Sequence, residues 1–168
     1  TSSVLYSGLV SGDTFNGSYT GAFSNANVGT GKTVTITSSY SGADSGNYSV
    51  TDQSSTTADI STKALTATAS ASNKTYDGGT TASTTLTFTG LVGSETLGQT
   101  VGSTFDNKNV GSNKSVSVNS ITLTDGSGLA ANYSINAGQT TTANITAKSL
   151  TVSGITGINK VYDGNTVV

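Results

Sequence analysis

The chain has 168 residues and contains no cysteine, histidine, methionine, tryptophan, proline or arginine; its only cations are seven lysines. Without histidine or cysteine, the usual nucleophile–base pairs and nearly all transition-metal ligands are missing. Charged residues make up 10% and the net charge is −2. That excludes binding to nucleic acid by clustered cations, because phosphates must be neutralised in groups. No apolar run approaches the roughly 20 residues of a membrane-spanning helix, so no membrane insertion is expected. No secretory leader opens the sequence, which reads as an excerpt of a longer precursor. The lack of cysteine leaves the redox compartment open.

What fills the chain is serine, threonine, glycine and asparagine around a hydrophobic fraction of 33%. So low a fraction is one sign of disorder, since little apolar burial offsets chain entropy. Disordered chains, however, are usually charged and poor in β-branched residues. Here charge is scarce and Thr, Val and Ile are abundant, which suits pleated, half-buried strands. An ordered β structure is expected.

The chain also repeats itself. Gly8-Leu9-Val10 recurs as Gly90-Leu91-Val92, an offset of 82. Asn25 to Gly29 recurs as Asn107 to Gly111, and Lys32 to Ile36 as Lys114 to Val118, at the same offset. Asn47-Tyr48-Ser49-Val50 matches Asn132-Tyr133-Ser134-Ile135 at 85, as does Ile60 to Thr66 with Ile145 to Thr151. Asn73-Lys74-Thr75-Tyr76-Asp77-Gly78 matches Asn159-Lys160-Val161-Tyr162-Asp163-Gly164 at 86. Small loop insertions account for the drift. The expected organisation is residues 1–63 as the body of a first repeat lacking its first strands, 64–149 as a complete repeat, and 150–168 as the head of a next one. Placing 150–168 before 1–63 gives a full unit of 82 residues, with Asn165 to Val168 and Thr1 to Gly8 aligning without a gap on Gly79 to Gly90. Two explanations are open: a window cut from a long array, or a head that completes the body of a neighbouring molecule by strand addition.

Within the complete repeat, period-two alternation predicts strands at Ala64–Ser70 (Leu65, Ala67 and Ala69 on one face) and Thr84–Thr89 (Leu86 and Phe88 inward). It also predicts Lys114–Leu123, with Val116 and Val118 inward and a shift at Asn119-Ser120, and shorter strands at Asn132–Ile135 and Thr141–Ile145. Glycine, asparagine and aspartate clusters between them supply turns. The expected fold is all-β: tandem Ig-like β-sandwich repeats of about 82–86 residues forming an elongated rod. A small barrel, a β-grasp variant and a parallel β-helix are the alternatives. Repeats of this size are marginal alone. The uninterrupted run from Thr141 to Thr151 predicts a short, stiff junction between neighbours.

The two Asn-Lys-x-Tyr-Asp-Gly segments, the two Gly-Leu-Val triplets, the Asn-Val-Gly segments ending at Gly29 and Gly111 and the Asn-Tyr pairs at 47–48 and 132–133 together resemble the signature of the YDG repeat. The resemblance extends to the related mostly-β glycine-rich (MBG-type) repeats. Such repeats occur as long arrays in very large bacterial surface adhesins, often of filamentous-haemagglutinin type. The resemblance runs over the whole chain. It implies an extracellular, cell-surface stalk or adhesive repeat and supplies no catalytic residue. Where the family pattern tolerates arginine and proline, this chain has neither.

Tyr76-Asp77-Gly78 and Tyr162-Asp163-Gly164 are read as structural turns: Asp-Gly favours a tight hairpin, Gly accepts positive φ, and the Tyr ring plugs a sheet edge with its hydroxyl wet. Lys74, Asn132 and Glu95, with the shifted set Lys160, Asn47 and Asp13, are candidates for a Lys–Asn isopeptide crosslink. That chemistry needs a desolvated neutral lysine and a protonated acid; the competing reading is a solvated Lys and a turn Asn. Calcium is the one cofactor considered, with Asp44, Asp52, Asp106 and Asp125 in loops but no Asp-x-Asp-x-Asp run. Gly29-Thr30-Gly31-Lys32-Thr33 fails the phosphate-loop spacing because Ala26 stands where glycine is needed, and it leads into a strand. Six Asn-x-Ser/Thr triplets, at Asn16, Asn47, Asn73, Asn113, Asn132 and Asn144, are what this composition generates by itself.

The functional expectation is a structural repeat, not an enzyme. It would be a rigid stalk or filament subunit of an exported adhesin or fibre, partnered by neighbouring repeats or identical subunits. The alternative is a binding module whose loops recognise glycan or a host surface. Few aromatics and little charge give such loops scant anchoring energy.

Overall fold

The computed structural model describes Val4 and residues 6–167. Thr1, Ser2, Ser3, Leu5 and Val168, where the sequence aligns the two ends of the chain, lie outside the described residues. The described residues form eleven strands and no α-helix. In chain order these are β1 (Asn16–Phe23), β2 (Gly29–Ser41), β3 (Ser55–Ile60), β4 (Lys63–Ala64), β5 (Thr66–Ala71), β6 (Lys74–Thr75), β7 (Thr84–Thr89), β8 (Leu97–Phe105), β9 (Gly111–Asp125), β10 (Tyr133–Ser134) and β11 (Thr140–Thr146). The fold is all-β. Two single 3-10 turns, Ser45–Asn47 and Ala130–Asn132, stand at corresponding places of the two sequence copies.

Two compact units emerge, and they cut across the sequence repeats. One gathers Thr1–Leu65, Gly90–Gly98 and Thr124–Ile135; the other gathers Thr66–Thr89, Gln99–Leu123 and Asn136–Val168. The first unit carries the antiparallel sheet β1-β2-β3 and the short parallel pair β4–β10. The second is built on the sheet ordered β6-β11-β9-β8 and the antiparallel pair β5–β7.

Alternation explains why these segments are strands. In β7, Leu86 is buried and Phe88 half-buried while Thr85, Thr87 and Thr89 face water. In β5, Ala67, Ala69 and Ala71 share the covered face, with buried Leu65 just before the strand. In β9, Val116 and Val118 are fully buried; the phase then slips at Asn119-Ser120, so that Ile121 and Leu123 are the covered residues beyond it. The core of the second unit joins Ala82, Phe105, Val116, Ala143 and Ile145, with Ala71 and Tyr76 packed against them.

Polar side chains finish what the ladders leave open. Gln99 replaces a strand beside Leu86: its Oε1 accepts the Leu86 N–H at 3.1 Å and its Nε2 donates to the Leu86 carbonyl at 2.7 Å. Buried Ser103 donates to the Ala82 carbonyl at 3.0 Å. These bonds satisfy backbone groups that would otherwise be costly to bury.

One irregularity occurs in both copies. The register slips between Gly29 and Lys32 in β2–β3, and between Ala143 and Ile145 in β9–β11. Gly31 sits at φ 58° and its counterpart Asn113 at φ 51°. Each N–H is held by a side chain of the facing strand, Gly31 by Asp59 at 2.7 Å and Asn113 by Asn144 at 2.8 Å. Glycine meets positive φ without strain, and asparagine is among the few other residues that tolerate it.

Candidate functional site

The Tyr-Asp-Gly segment is built around its lysine. Lys74 Nζ lies 2.8 Å from Asp77 Oδ1 and donates to the carbonyls of Gly79 and Thr81 at 3.0 and 3.1 Å. Asp77 Oδ1 also accepts the Gly79 N–H at 2.9 Å. Gly78 between them has φ 84°. The Lys74 ammonium, followed by the Gly79 N–H, holds the Asp77 carboxyl below the ordinary carboxylate range. The lysine also stands 5.7 Å from the Phe105 ring centroid, and Tyr76 packs on the core. The expected hairpin needs correcting. Lys74–Thr75 pairs in parallel with β11, whereas Thr81 bridges antiparallel to Thr104. The segment is thus a loop joining two different partners, and the lysine closes it where a hairpin ladder would have.

The same device is assembled at residues 160–167. Lys160 Nζ reaches Asp163 Oδ1 at 2.7 Å and the Val167 carbonyl at 2.7 Å. Asn165 N–H donates to Asp163 Oδ1 at 2.9 Å, and Gly164 has φ 81°. Lys160, then Asn165, lowers the Asp163 pKa. Here, however, Tyr162 is 93% exposed.

The isopeptide candidates do not come together. Glu95 accepts a hydrogen bond from the Tyr133 hydroxyl, which in turn accepts the Val92 N–H at 3.0 Å. Asn132 accepts the Val28 N–H at 2.9 Å and donates to Asn27 at 3.1 Å. Both residues belong to the first unit, while Lys74 is occupied in the second. In the shifted set, Asp13 accepts from the Tyr48 hydroxyl at 2.5 Å, Asn47 belongs to a 3-10 turn and Lys160 is held by Asp163. The physical reason is that each lysine finds a carboxylate within its own loop and each acid is used by a tyrosine. Those tyrosines, Tyr48 and Tyr133, have pKa values raised above 10.0 by the hydrogen bond to the carboxylate.

The loop aspartates weighed for calcium are engaged elsewhere. Asp44 accepts the Thr14 N–H at 2.8 Å and Asp125 the Ala130 N–H at 2.7 Å. Asp52 accepts from the Tyr40 hydroxyl. Asp106 pairs with Lys114 at 2.9 Å, which lowers its pKa. Among the described residues no three acidic side chains are grouped to hold a metal ion.

What the sequence reading passed over is a groove in the first unit. About 580 Å³ of open space lies over the β1-β2-β3 sheet, lined by Val4, Tyr19, Val34, Ile36 and Tyr40 among others. A smaller hollow of about 400 Å³ adjoins it beside Leu9, Phe15 and Tyr48. Aromatic rings cluster there: Phe15 meets Tyr6, Tyr40 and Tyr48 with centroids 5.1, 5.3 and 5.5 Å apart. The signal available in the sequence was the offset of 82, which sets Val34 and Ile36 against buried Val116 and Val118.

Comparison with known protein families identifies a YDG domain, matched over residues 1–58 and 61–143. The chain belongs to the YDG domain family. No curated protein and no solved structure matches it. Residues that recur in this YDG chain have structural partners here: the loop-closing lysine, the turn aspartate and the Tyr bonded to a carboxylate.

Proposed function

We propose that this YDG chain is a structural repeat of an exported bacterial adhesin or extracellular fibre, of the MBG-type, serving as a stalk or filament subunit built from Ig-like β-sandwiches. One observation carries the reading: the side chains that recur between copies hold backbone. Asn25 and Asn107 each accept the N–H two residues on, at 3.1 and 3.0 Å, with the same oxygen that accepts from Lys32 or Lys114, at 2.5 and 2.7 Å. Tyr48 and Tyr133 each tie a Leu-Val turn to an acidic residue. Selection on a spacer acts on such framework bonds, because a repeat must fold beside its neighbours and keep its length. Family membership supports the extracellular setting, and neighbouring repeats or identical subunits are the natural partners.

Protease shaving of intact producing cells tests the reading. Release of peptides from this chain, with cytoplasmic proteins protected, is the expected result; retention of the chain inside the cell overturns it. The aromatic cluster of the groove favours a second reading, a glycan-binding module, since rings offer flat apolar faces to sugars. Saturable binding on a glycan array would select that reading over the spacer.

A further inference from the structure

Every buried apolar residue among the described residues lies between Leu65 and Ile145. Their described counterparts in the first copy are less covered. Val116 is 0% and Phe105 3% exposed; Val34 is only half-buried, and Phe23 is 40% exposed. Leu86 is 3% exposed, and Val4, its counterpart in the aligned register, is 49% exposed. What covers the second copy is its head. Leu65 is buried, β4 pairs with β10, β5 with β7, and β6 with β11. A second segment of matching sequence is present at residues 148–167. It forms no strand, and its apolar side chains stand in water: Leu150 at 92% exposure, Val152 at 77%, Ile155 at 85% and Val161 at 89%.

We propose that the groove of the first copy is a docking site for residues 148–167 of a second copy of this chain, which enter it as added strands. The inference rests on the structural-repeat reading and deepens it by naming the partner and the register. The complete copy supplies the pattern. Tyr133 and Ser134 pair in parallel with Lys63 and Ala64, so Tyr48 and Ser49 pair with the partner copy's equivalents of those two residues, at positions 148 and 149. Ile145 and Thr146 pair with Lys74 and Thr75, so Ile60 and Ser61 take positions 160 and 161. The Asn144 N–H donates to Asn73 at 2.7 Å, which places the incoming asparagine of position 159 on the Asp59 N–H. The leucine of position 150 fills the hollow over Gly8, as Leu65 does over Gly90. A Cβ on Gly90 would meet Leu65 Cδ2 at 3.6 Å, whereas a Cβ on Gly8 would meet nothing within 4 Å. Main-chain pairing supplies affinity, and side chains alternating into pockets supply register. The Lys160–Asp163 pair and the Lys160 bond to the Val167 carbonyl are already in place, matching Lys74–Asp77 and the Lys74 bond to Thr81 in the complete copy. The segment therefore arrives with part of its ordering cost met beforehand.

Native cysteine is absent, which makes a register-specific disulfide a clean test. The full chain carrying both Ser49→Cys and Ser149→Cys is oxidised over a range of concentrations and run on a non-reducing gel. The expected result is a ladder of multiples of the chain mass that lengthens with concentration. The off-register pair Ser39→Cys with Ser149→Cys is expected to give none. Adding Leu150→Asp to the in-register pair should weaken association about tenfold or more. Because Leu150 is 92% exposed, the monomer's fold does not depend on it. Three outcomes overturn the proposal: a disulfide closed within single chains, no disulfide at any concentration, or equal laddering by the off-register pair. A soluble oligosaccharide that protects Val34 and Ile36 amides from exchange while the chain stays monomeric gives the groove to a sugar and also overturns it. None of these results bears on protease shaving of cells, so failure here and failure of the spacer reading are separable.

Discussion

The two copies of the YDG repeat in this chain share sequence, turns and framework bonds, yet one has a core and the other does not. In the second copy Val118 is 2% and Ile145 1% exposed; their counterparts Ile36 and Ile60 remain half-covered. The β2 and β9 strands are the same kind of object, with the same bulge and a lysine bonded to the asparagine seven residues earlier. The difference lies in the head segment. Strand pairing and local bonds are thus enough to shape a body, while burial in the second copy comes with its head segment. Hydrophobic stabilisation follows the apolar area removed from water, so the copies should differ far more in stability than in structure.

Truncating matched core positions breaks this comparison most sharply. Ile145→Ala removes a side chain with nowhere to relax, and should cost about 2–5 kcal/mol. Ile60→Ala should cost less than about 1.5 kcal/mol, because its site is already open. Native-state hydrogen exchange reads each copy from its own amides, which a single melting curve for two units does not. Equal losses in the two copies would show that the first has a core of its own.

The loop lysines come next. Lys74→Ala deletes donors to the Gly79 and Thr81 carbonyls and uncovers Phe105, for an expected loss of about 1–3 kcal/mol in exchange protection around β6 and β11. Lys160→Ala removes the same bonds from an exposed segment and should leave the monomer's protection unchanged. A loss at Lys160 comparable to that at Lys74 would mean that residues 148–167 are already docked in the monomer.

A smaller effect should be the same in both copies. Val at position 31 or 113 meets φ near 55° with a branched side chain, at about 1–2 kcal/mol. Asn113→Gly should be nearly silent, since Gly31 already occupies the equivalent site. Exchange at the amides flanking each bulge checks both. A silent Asn113→Val would show that the bulge is not rigidly held.

The strands were legible because period-two alternation is local: β7 appears at the residues expected, and β9 and β11 extend the expected spans by one to three residues at each end. The slip at Asn119-Ser120 was legible for the same reason. The parallel pairs β4–β10 and β6–β11 were not, because pairing between segments some 70 residues apart leaves no local period to read. The Tyr133–Glu95 bond joins residues 38 apart, and no local pattern announces such a contact. Lys74 was read as a choice between solvent and a distant asparagine; the answer was the carboxylate three residues on. That pairing was open to inspection all along, since Lys160 and Asp163 repeat its spacing.

Titration separates the copies most gently. Asp77 and Asp106 have pKa values below the 3.8 of an ordinary aspartate. A depressed folded-state pKa gives stability that is present above the unfolded value and lost as pH falls through the folded one. Both pairs belong to the second copy, and in the first copy Ser24 stands where Asp106 does in the second. Acidification below pH 3.8 should therefore loosen β6 and the β8–β9 turn, and Asp77→Asn with Asp106→Asn should flatten that response. At the alkaline end the sign reverses. Tyr48 and Tyr133 both have raised pKa values, so the stability they lend is full below pH 10.0 and is lost as pH rises through their folded-state values. Both copies carry this bond and should weaken together, since a phenolate beside Asp13 or Glu95 sets like charges face to face. Exchange protection that fell with acid in both copies alike would mean that the lysine-paired aspartates Asp77 and Asp106 do not carry the acid response, and the copies would then differ in burial alone.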